Sequence, residues 1–585
     1  MNFSQIYVLT IVCLLIIALY KELANPGIIF FLCAIALVIG KIITPQELIS
    51  GLSNLQIIII FLLVIVTAGI RKLIGGEFFN RFFSHELKPK QFLLRLTIFV
   101  SVFSAFLNNT PIVAFMIPYV KEWSQRTNHP VSKFLIPLSY ATVLGGMITV
   151  IGTSTNLVLN GLIADYHLPL LGFQDFFYLG VIVTIFGWIY FYFVGYNLLP
   201  EHASKFDNVK SNLKEYIVET VIHPSSKLIG KTVKDAGLRN LSDLFLVEIS
   251  RGGKIISPVT PDTILENEDL LYFSGNTESI YNLIKESNGL GVHQNTLESG
   301  RFHFLEAVVP ANSSLIGVKI KKSDFRKRFD ASIVAIHRDG KQIGSKVGET
   351  VLQGGDFLLL VASVGHVSTL TNSSLVFISL PKSIEAAKPS WYLFAGILSF
   401  LVLLAGILNI IPLFVSCMLV LCGFVFSKLL GLDEIQEQLD LGLLMILVCS
   451  LAIGMALEKS GVGVLVAGWL IQAGHSFGIV AAIFTLFLVT IALTQLITNA
   501  AAVAIVFPVA MSMASQLHLS TTPFFVAIAF AASGCFLSPI GYQTNLMVYG
   551  PGGYSFKDFF KVGLPLTIIY IATCVIFITI FYNLV

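Results

Sequence analysis

Two short polar strings interrupt otherwise apolar runs, and their residue types are those that handle ions without carrying charge. One reads Asn108-Asn109-Thr110-Pro111 within the stretch 93–120; the other reads Thr498-Asn499-Ala500 within 478–512. Hydroxyl and amide oxygens, with carbonyls freed where a helix unwinds, suit Na⁺. Helix N-termini and free N–H groups suit an anion. Asn108, Asn109 and Thr110, with Thr498 and Asn499, therefore form two candidate half-sites. Taken singly, each string also fits a hairpin tip whose side chains only satisfy backbone. Their recurrence favours a site. Ser104 recurs as Thr494, Asn109 as Asn499 and Pro118 as Pro508, each 390 residues later. The string Gly152-Thr153-Ser154-Thr155-Asn156 recurs as Gly541-Tyr542-Gln543-Thr544-Asn545, 389 residues later. Matches that share an offset and a place in the hydropathy pattern mark an internal repeat.

The elements that must hold these strings lie in lipid. Of the 585 residues, 55% are hydrophobic and 12% charged, against roughly a quarter charged in soluble proteins. A net charge of +3, with no basic run interleaved with aromatics, gives no case for nucleic acid. The seven cysteines fall in apolar stretches without a CxxC pair and read as small apolar side chains. The run Ile6–Tyr20 has no basic lead and no small-residue cleavage site, so it reads as a retained span. No Asp, Glu, Lys or Arg falls mid-span; Glu458 and Lys459 stand at a span end. Proton pumps usually place a titratable group within the membrane, so cation coupling through neutral oxygens is expected instead. His475 and His518, in or beside loops, read as solvated histidines.

A membrane helix needs about 20 mainly apolar residues. Spans are expected near 5–20, 26–41, 55–71, 132–151 and 174–198, then near 391–408, 412–428, 441–457, 522–539 and 562–582. Between about 200 and 388 the chain turns polar, and alternating runs such as Leu244–Val247 and Phe357–Leu360 read as strands. Lys and Arg set the orientation. With the segment after the third span inside, the inner loops hold Lys21, Arg71, Lys72, Arg81, Lys88, Lys90, Arg95, Lys121, Arg126, Lys133, Lys428, Lys557 and Lys561. The outer loops keep only Lys41 and Lys459. The polar insert is then cytoplasmic and both termini lie outside. The first hairpin enters from the cytoplasm and the second from outside, so the halves are inverted.

The insert repeats internally. Leu228-Ile229-Gly230 matches Leu315-Ile316-Gly317, Arg251 matches Arg338 and Asp269 matches Asp356, all 87 residues apart. Two tandem α/β modules of about 80 residues are expected, each opening on a proline-containing strand. The domains are 1–200, the first transmembrane repeat with its hairpin at 93–120; 205–290 and 300–385, the two modules; and 390–585, the second repeat with its hairpin at 478–512.

With these motifs in place, the chain resembles the divalent anion:sodium symporters of the ion-transporter superfamily. Their signature is a Ser-Asn-Thr tip in each hairpin, followed by a Gly-Thr-Pro-Pro-Asn-like unwound segment. The resemblance covers both membrane halves. It implies an α-helical polytopic protein of two inverted repeats with re-entrant hairpins. Two sodium sites are implied, one around Ser104, Asn109 and Gly152, the other around Thr494, Asn499 and Gly541. The implied substrate site lies between the tips, at Asn108, Asn109, Thr110, Ser154, Thr498, Asn499, Ala500 and Gln543. Thr155, Asn156, Thr544 and Asn545 support it from the unwound segments. A homodimer with an elevator-like transport domain in the plasma (inner) membrane is also implied.

The chain departs from the signature: Ala500 replaces Thr in the second tip, Asn108 replaces Ser in the first, and the Pro-Pro pairs are missing. These changes point away from a dicarboxylate. The insert resembles a pair of TrkA C-terminal (RCK-C) modules, and the branch bearing them is linked mainly with inorganic sulfate. The expected function is Na⁺-coupled symport of sulfate, the alternative a di- or tricarboxylate carrier such as one for succinate or citrate. Such modules dimerise and can take a small regulatory ligand such as a nucleotide; a dimerisation module without a ligand is the other reading. No GxGxxG follows a strand, so no Rossmann half is expected. An ion channel would need a filter string such as Thr-Val-Gly-Tyr-Gly, and none is present. An enzyme is not expected: there is no HExxH and no mid-membrane His/Glu cluster.

Overall fold

The structure is a computed structural model. It describes residues 1–21, 26–73, 87–201, 217–238, 244–252, 254–256, 259–275, 290–292, 302–310, 313–323, 325–329, 331–338, 341–343, 347–363, 375–377, 391–408, 410–431, 435–436, 441–474 and 478–584. Arg81, His475 and the domain limits at 205, 300, 385 and 390 lie outside the described residues. The chain divides into two compact units. One comprises Met1–Glu201, Glu385–Val548 and Ser555–Val585; the other comprises His202–Ile384 with Tyr549–Tyr554.

The first unit is helical. Its first half runs through α1 (Phe3–Tyr20), α2 (Pro26–Ile39), α3 (Leu55–Leu73), α4 (Pro89–Ser104), α5 (Asn109–Thr127), α6 (Leu135–Gly146), α7 (Ser154–Asp165) and α8 (Phe173–Tyr190). Its second half runs through α9 (Trp391–Ile407), α10 (Leu413–Phe426), α11 (Leu441–Lys459), α12 (Val462–Gly474), α13 (Gly478–Thr494), α14 (Asn499–Gln516), α15 (Thr522–Ser533), α16 (Gln543–Tyr549) and α17 (Phe556–Phe581). Among the described residues, the helices Phe173–Leu198, Asn499–Gln516 and Phe556–Phe581 are long and apolar enough to cross a membrane by themselves. Two bent pairs, Pro45–Leu52 with Ile57–Ile70 and Leu444–Lys459 with Val462–Gln472, raise that number to five. The polypeptide is a multi-pass membrane protein.

The polar strings end helices where the sequence predicts breaks. α4 stops at Ser104 and α5 starts at Asn109; α13 stops at Thr494 and α14 starts at Asn499. Pro118 and Pro508 sit inside α5 and α14, where a ring without N–H removes one backbone hydrogen bond. The same two helices end on left-handed residues, Asn128 and His518, each at φ 56°. His518 thus terminates a helix at the position its counterpart occupies 390 residues earlier. The expected span 132–151 holds α6 and the start of an unwound stretch, and a separate helix, α7, follows from Ser154. The sequence reading also passed over α12. Packing recurs as well: α4 lies on α6 and α13 on α15, while α8 covers the first pair and α17 the second. A Cβ at Gly145 would run into the Ser101 backbone, so glycine lets α4 and α6 approach.

The second unit holds two antiparallel five-stranded sheets. The first comprises β1 (Ile217–Ile222), β2 (Leu244–Arg251), β3 (Lys254–Ile256), β4 (Leu270–Gly275) and β5 (Leu290–Val292), in the order β3-β2-β4-β1-β5. The second comprises β6 (Phe302–Val308), β7 (Ala331–Arg338), β8 (Lys341–Gln342), β9 (Phe357–Ser363) and β10 (Val376–Phe377), in the order β10-β6-β9-β7-β8. Read from its other edge, the second order is the first. The prolines fall just outside the opening strands, at Pro224 and Pro310, since a residue without N–H cannot donate to a ladder.

Each sheet carries one fork. Arg251 donates through Nε to Asp269 Oδ1 at 2.8 Å and through a terminal nitrogen to Oδ2 at 2.9 Å; Arg338 does the same to Asp356 at 2.7 and 2.8 Å. Both carboxylates are fully buried. The four charged residues picked out by the 87-residue repeat are therefore two bonded pairs, one in each module.

Candidate functional site

The first tip places a hydroxyl against two acceptors. Ser104 Oγ lies within hydrogen-bond reach of Asn109 Oδ1 and 2.8 Å from the Thr142 carbonyl oxygen. A serine has one proton to donate, so it cannot satisfy both. Three oxygens thus converge with more lone pairs than protons, an environment that favours a cation. All three residues are buried. The second tip repeats the arrangement: Thr494 Oγ1 lies 2.7 Å from Asn499 Oδ1 and 2.6 Å from the Ala532 carbonyl oxygen. Thr142 and Ala532 are also 390 residues apart. Sequence reading missed them because they contribute backbone, and Thr and Ala share no side-chain signature.

The unwound segments close on these tips. A Cβ at Gly152 would stand 2.5 Å from the Gly146 carbonyl oxygen and 2.7 Å from that of Ser104; one at Gly541 would stand 2.6 Å from the Thr494 carbonyl oxygen. Only glycine permits that approach. Thr149 bonds the Ala105 carbonyl and receives the Gly152 N–H at 3.2 Å. Asn156 Nδ2 donates to the Thr149 carbonyl at 3.0 Å, and Asn545 Nδ2 to the Ser538 carbonyl at 3.1 Å, both seven residues back. Asn545 also reaches the Cys535 carbonyl, and Ser139 meets Thr544 Oγ1 and Asn545 Oδ1 at 2.8 and 2.6 Å. These asparagines satisfy carbonyls that the missing helical turns leave free. Thr155 and Thr544 are buried in the same segments.

The amide donors differ between the tips. Asn109 Nδ2 donates to Tyr542 Oη at 2.6 Å, and Thr110 Oγ1 meets Gln543 Oε1 at 3.0 Å. Asn499 Nδ2 is buried and has no hydrogen-bond partner among the described residues. A buried donor without an acceptor costs about 1–3 kcal/mol, a cost that an incoming oxygen would relieve. Thr498 caps α14, accepting the Ala501 N–H at 3.4 Å, whereas Asn108 caps α5 without a side-chain bond. Ser154 begins α7, Gln543 begins α16, and Ala500 follows Asn499 in the first turn of α14. Among the described residues no group of His, Cys, Asp and Glu is arranged to hold a metal.

Comparison with known proteins follows this geometry. The chain matches the citrate transporter family (CitMHS) over residues 11–519 and 400–585. An uncharacterized transporter of Synechocystis sp. is 33% identical over 92% of this chain and 90% of its own. A Chlamydomonas reinhardtii protein named for a sulfur deprivation response is 30% identical over 95% of this chain and 99% of its own. Sodium/sulfate cotransporter 2 of the same alga is 24% identical over 90% and 84%.

Proposed function

Because the chain belongs to the CitMHS citrate transporter family, and so is a membrane transporter and not an enzyme, we propose that it is a Na⁺-coupled symporter of a small divalent anion, inorganic sulfate first. The observation that carries this reading is the cluster of hydroxyl, amide and carbonyl oxygens that recurs at both tips without a charged residue. Neutral oxygens in excess of protons suit Na⁺ at Ser104, Asn109 and Thr142, and again at Thr494, Asn499 and Ala532. Bound cations beside two helix N-termini would meet the charge of an anion where the tips themselves carry no Arg or Lys. Asn499 Nδ2 supplies a donor with no partner among the described residues. The names of the algal relatives, sodium/sulfate cotransporter and sulfur deprivation, favour sulfate.

The rest of the proposal rests on the resemblance to the divalent anion:sodium symporters, with the repeat as its support in this chain. Inverted halves would carry the site between the two faces of the plasma (inner) membrane by an elevator-like motion within a homodimer, with both termini outside. The 200–390 insert would form a cytoplasmic RCK-C-like dimerisation or regulatory module, with a nucleotide as one class of regulatory ligand.

Uptake of labelled sulfate into proteoliposomes, with and without an inward Na⁺ gradient and with succinate as competitor, tests the reading. Gradient-driven sulfate accumulation is expected. The family's citrate name supports a second reading, a di- or tricarboxylate carrier, and Na⁺-driven succinate uptake without sulfate flux would establish it instead.

A further inference from the structure

The internal symmetry fails where the second unwound segment meets the first tip, and the failure bears on substrate size. Position 542 is the counterpart of Thr153 at the 389-residue offset, and Gln543 is the counterpart of Ser154. Tyr542 reaches out of its own half. Its hydroxyl accepts from Asn109 Nδ2 at 2.6 Å. Gln543 follows it across, onto Thr110 at 3.0 Å. The amide and the hydroxyl of the first tip are thus engaged by side chains of the second half. No reciprocal contact exists at the second tip among the described residues. Asn499 Nδ2 has no partner there, and Ala500 offers no hydroxyl.

We infer that Tyr542 is a specificity-determining residue: it fills the first half-site and leaves one anion cradle, at Asn499. An extended dicarboxylate carries two separated charges and needs donors at both tips. A compact tetrahedral dianion concentrates its charge on one centre and needs one cradle. The ring takes the space that a threonine, as at Thr153, leaves open. The selected substrate class is a tetrahedral oxyanion, and succinate-like anions are rejected by the ring's bulk. This inference rests on the transport reading given above and deepens it.

The test uses the full chain in proteoliposomes, with labelled sulfate, an inward Na⁺ gradient and succinate as competitor, for wild type, Tyr542→Phe and Tyr542→Thr. Wild type and Tyr542→Phe should resist succinate alike, because both keep the ring. In Tyr542→Thr the half-inhibitory succinate concentration should fall about tenfold, a change of about 1.4 kcal/mol. Tyr542→Leu carries the same expectation should the threonine variant not fold. Unchanged succinate inhibition in the small variants overturns the inference, as does a Phe variant as permissive as the Thr variant. Wild-type protein that takes up succinate as readily as sulfate overturns it too, while leaving Na⁺-coupled anion transport standing. Absence of any Na⁺-driven flux in wild type removes the transport reading instead. Thermal melts in detergent then decide Tyr542: sulfate should stabilise every variant, succinate only those without the ring, and equal succinate shifts overturn the inference.

Discussion

Asn109 and Asn499 stand at equivalent points of the two hairpins, yet the Asn109 amide donates to Tyr542 at 2.6 Å while the buried Asn499 amide donates to nothing described. Their carbonyl ends do not differ: each Oδ1 faces the hydroxyl five residues before it. The pair therefore shares a hydroxyl-facing oxygen and diverges in the donor.

Replacing Asn499 with Asp keeps the oxygen beside Thr494 and exchanges the donor for an acceptor. A hydrogen bond to a charged group contributes about 1.5–3 kcal/mol, so uptake at low sulfate should drop at least roughly 10- to 100-fold. Initial-rate uptake measures this, with size-exclusion elution confirming an intact fold. Uptake within twofold of wild type would remove Asn499 from substrate binding.

The hydroxyls predict the cation dependence. Ser104→Ala and Thr494→Ala each delete one oxygen of a three-oxygen cluster, and Thr494→Ser restores it. The half-saturating Na⁺ concentration for uptake should rise about tenfold in the alanine variants, about 1.4 kcal/mol, and stay near wild type in Thr494→Ser. An unaltered Na⁺ curve in both alanine variants would place the sodium sites elsewhere.

Gly152 has no room for a side chain, whereas Gly172 meets only Asp175 at 3.8 Å. Gly152→Ala should destabilise the fold by about 1–3 kcal/mol through overpacking and abolish uptake, with Gly172→Ala close to neutral. Melting curves of the two variants in detergent compare them directly; equal curves would contradict the close approach.

In the insert, Asp269 also accepts the Glu266 backbone N–H at 2.8 Å, as Asp356 accepts that of Gln353. Arg251→Ala would strand a buried carboxylate, at a cost of roughly 3 kcal/mol. Hydrogen exchange across residues 244–275 of the full chain should speed up accordingly, while 331–363 stays protected. Uniform exchange across both modules would show that they do not depend separately on their own pairs.

The sequence by itself determined the membrane class, the helix breaks at the two tips, the 390- and 389-residue repeat and the doubled insert. Those features are written in side chains: apolar runs that must leave water, polar strings that end helices in lipid, and strand-like runs such as Leu244–Val247, which became β2. It also singled out Ser104, Thr494, Asn109 and Asn499. Only the tertiary structure decided that the carbonyls of Thr142 and Ala532 complete the oxygen clusters, because a carbonyl is the same in every residue and leaves no mark in a sequence. Only folding could pair Arg251 with Asp269, residues the repeat had merely counted. Tyr542 reaches Asn109 across 433 residues of chain, and no local pattern encodes which of two equivalent positions will cross to the other half. The asymmetry that leaves the Asn499 amide nitrogen without a partner among the described residues accompanies that crossing, since one phenol hydroxyl can engage one tip and not both.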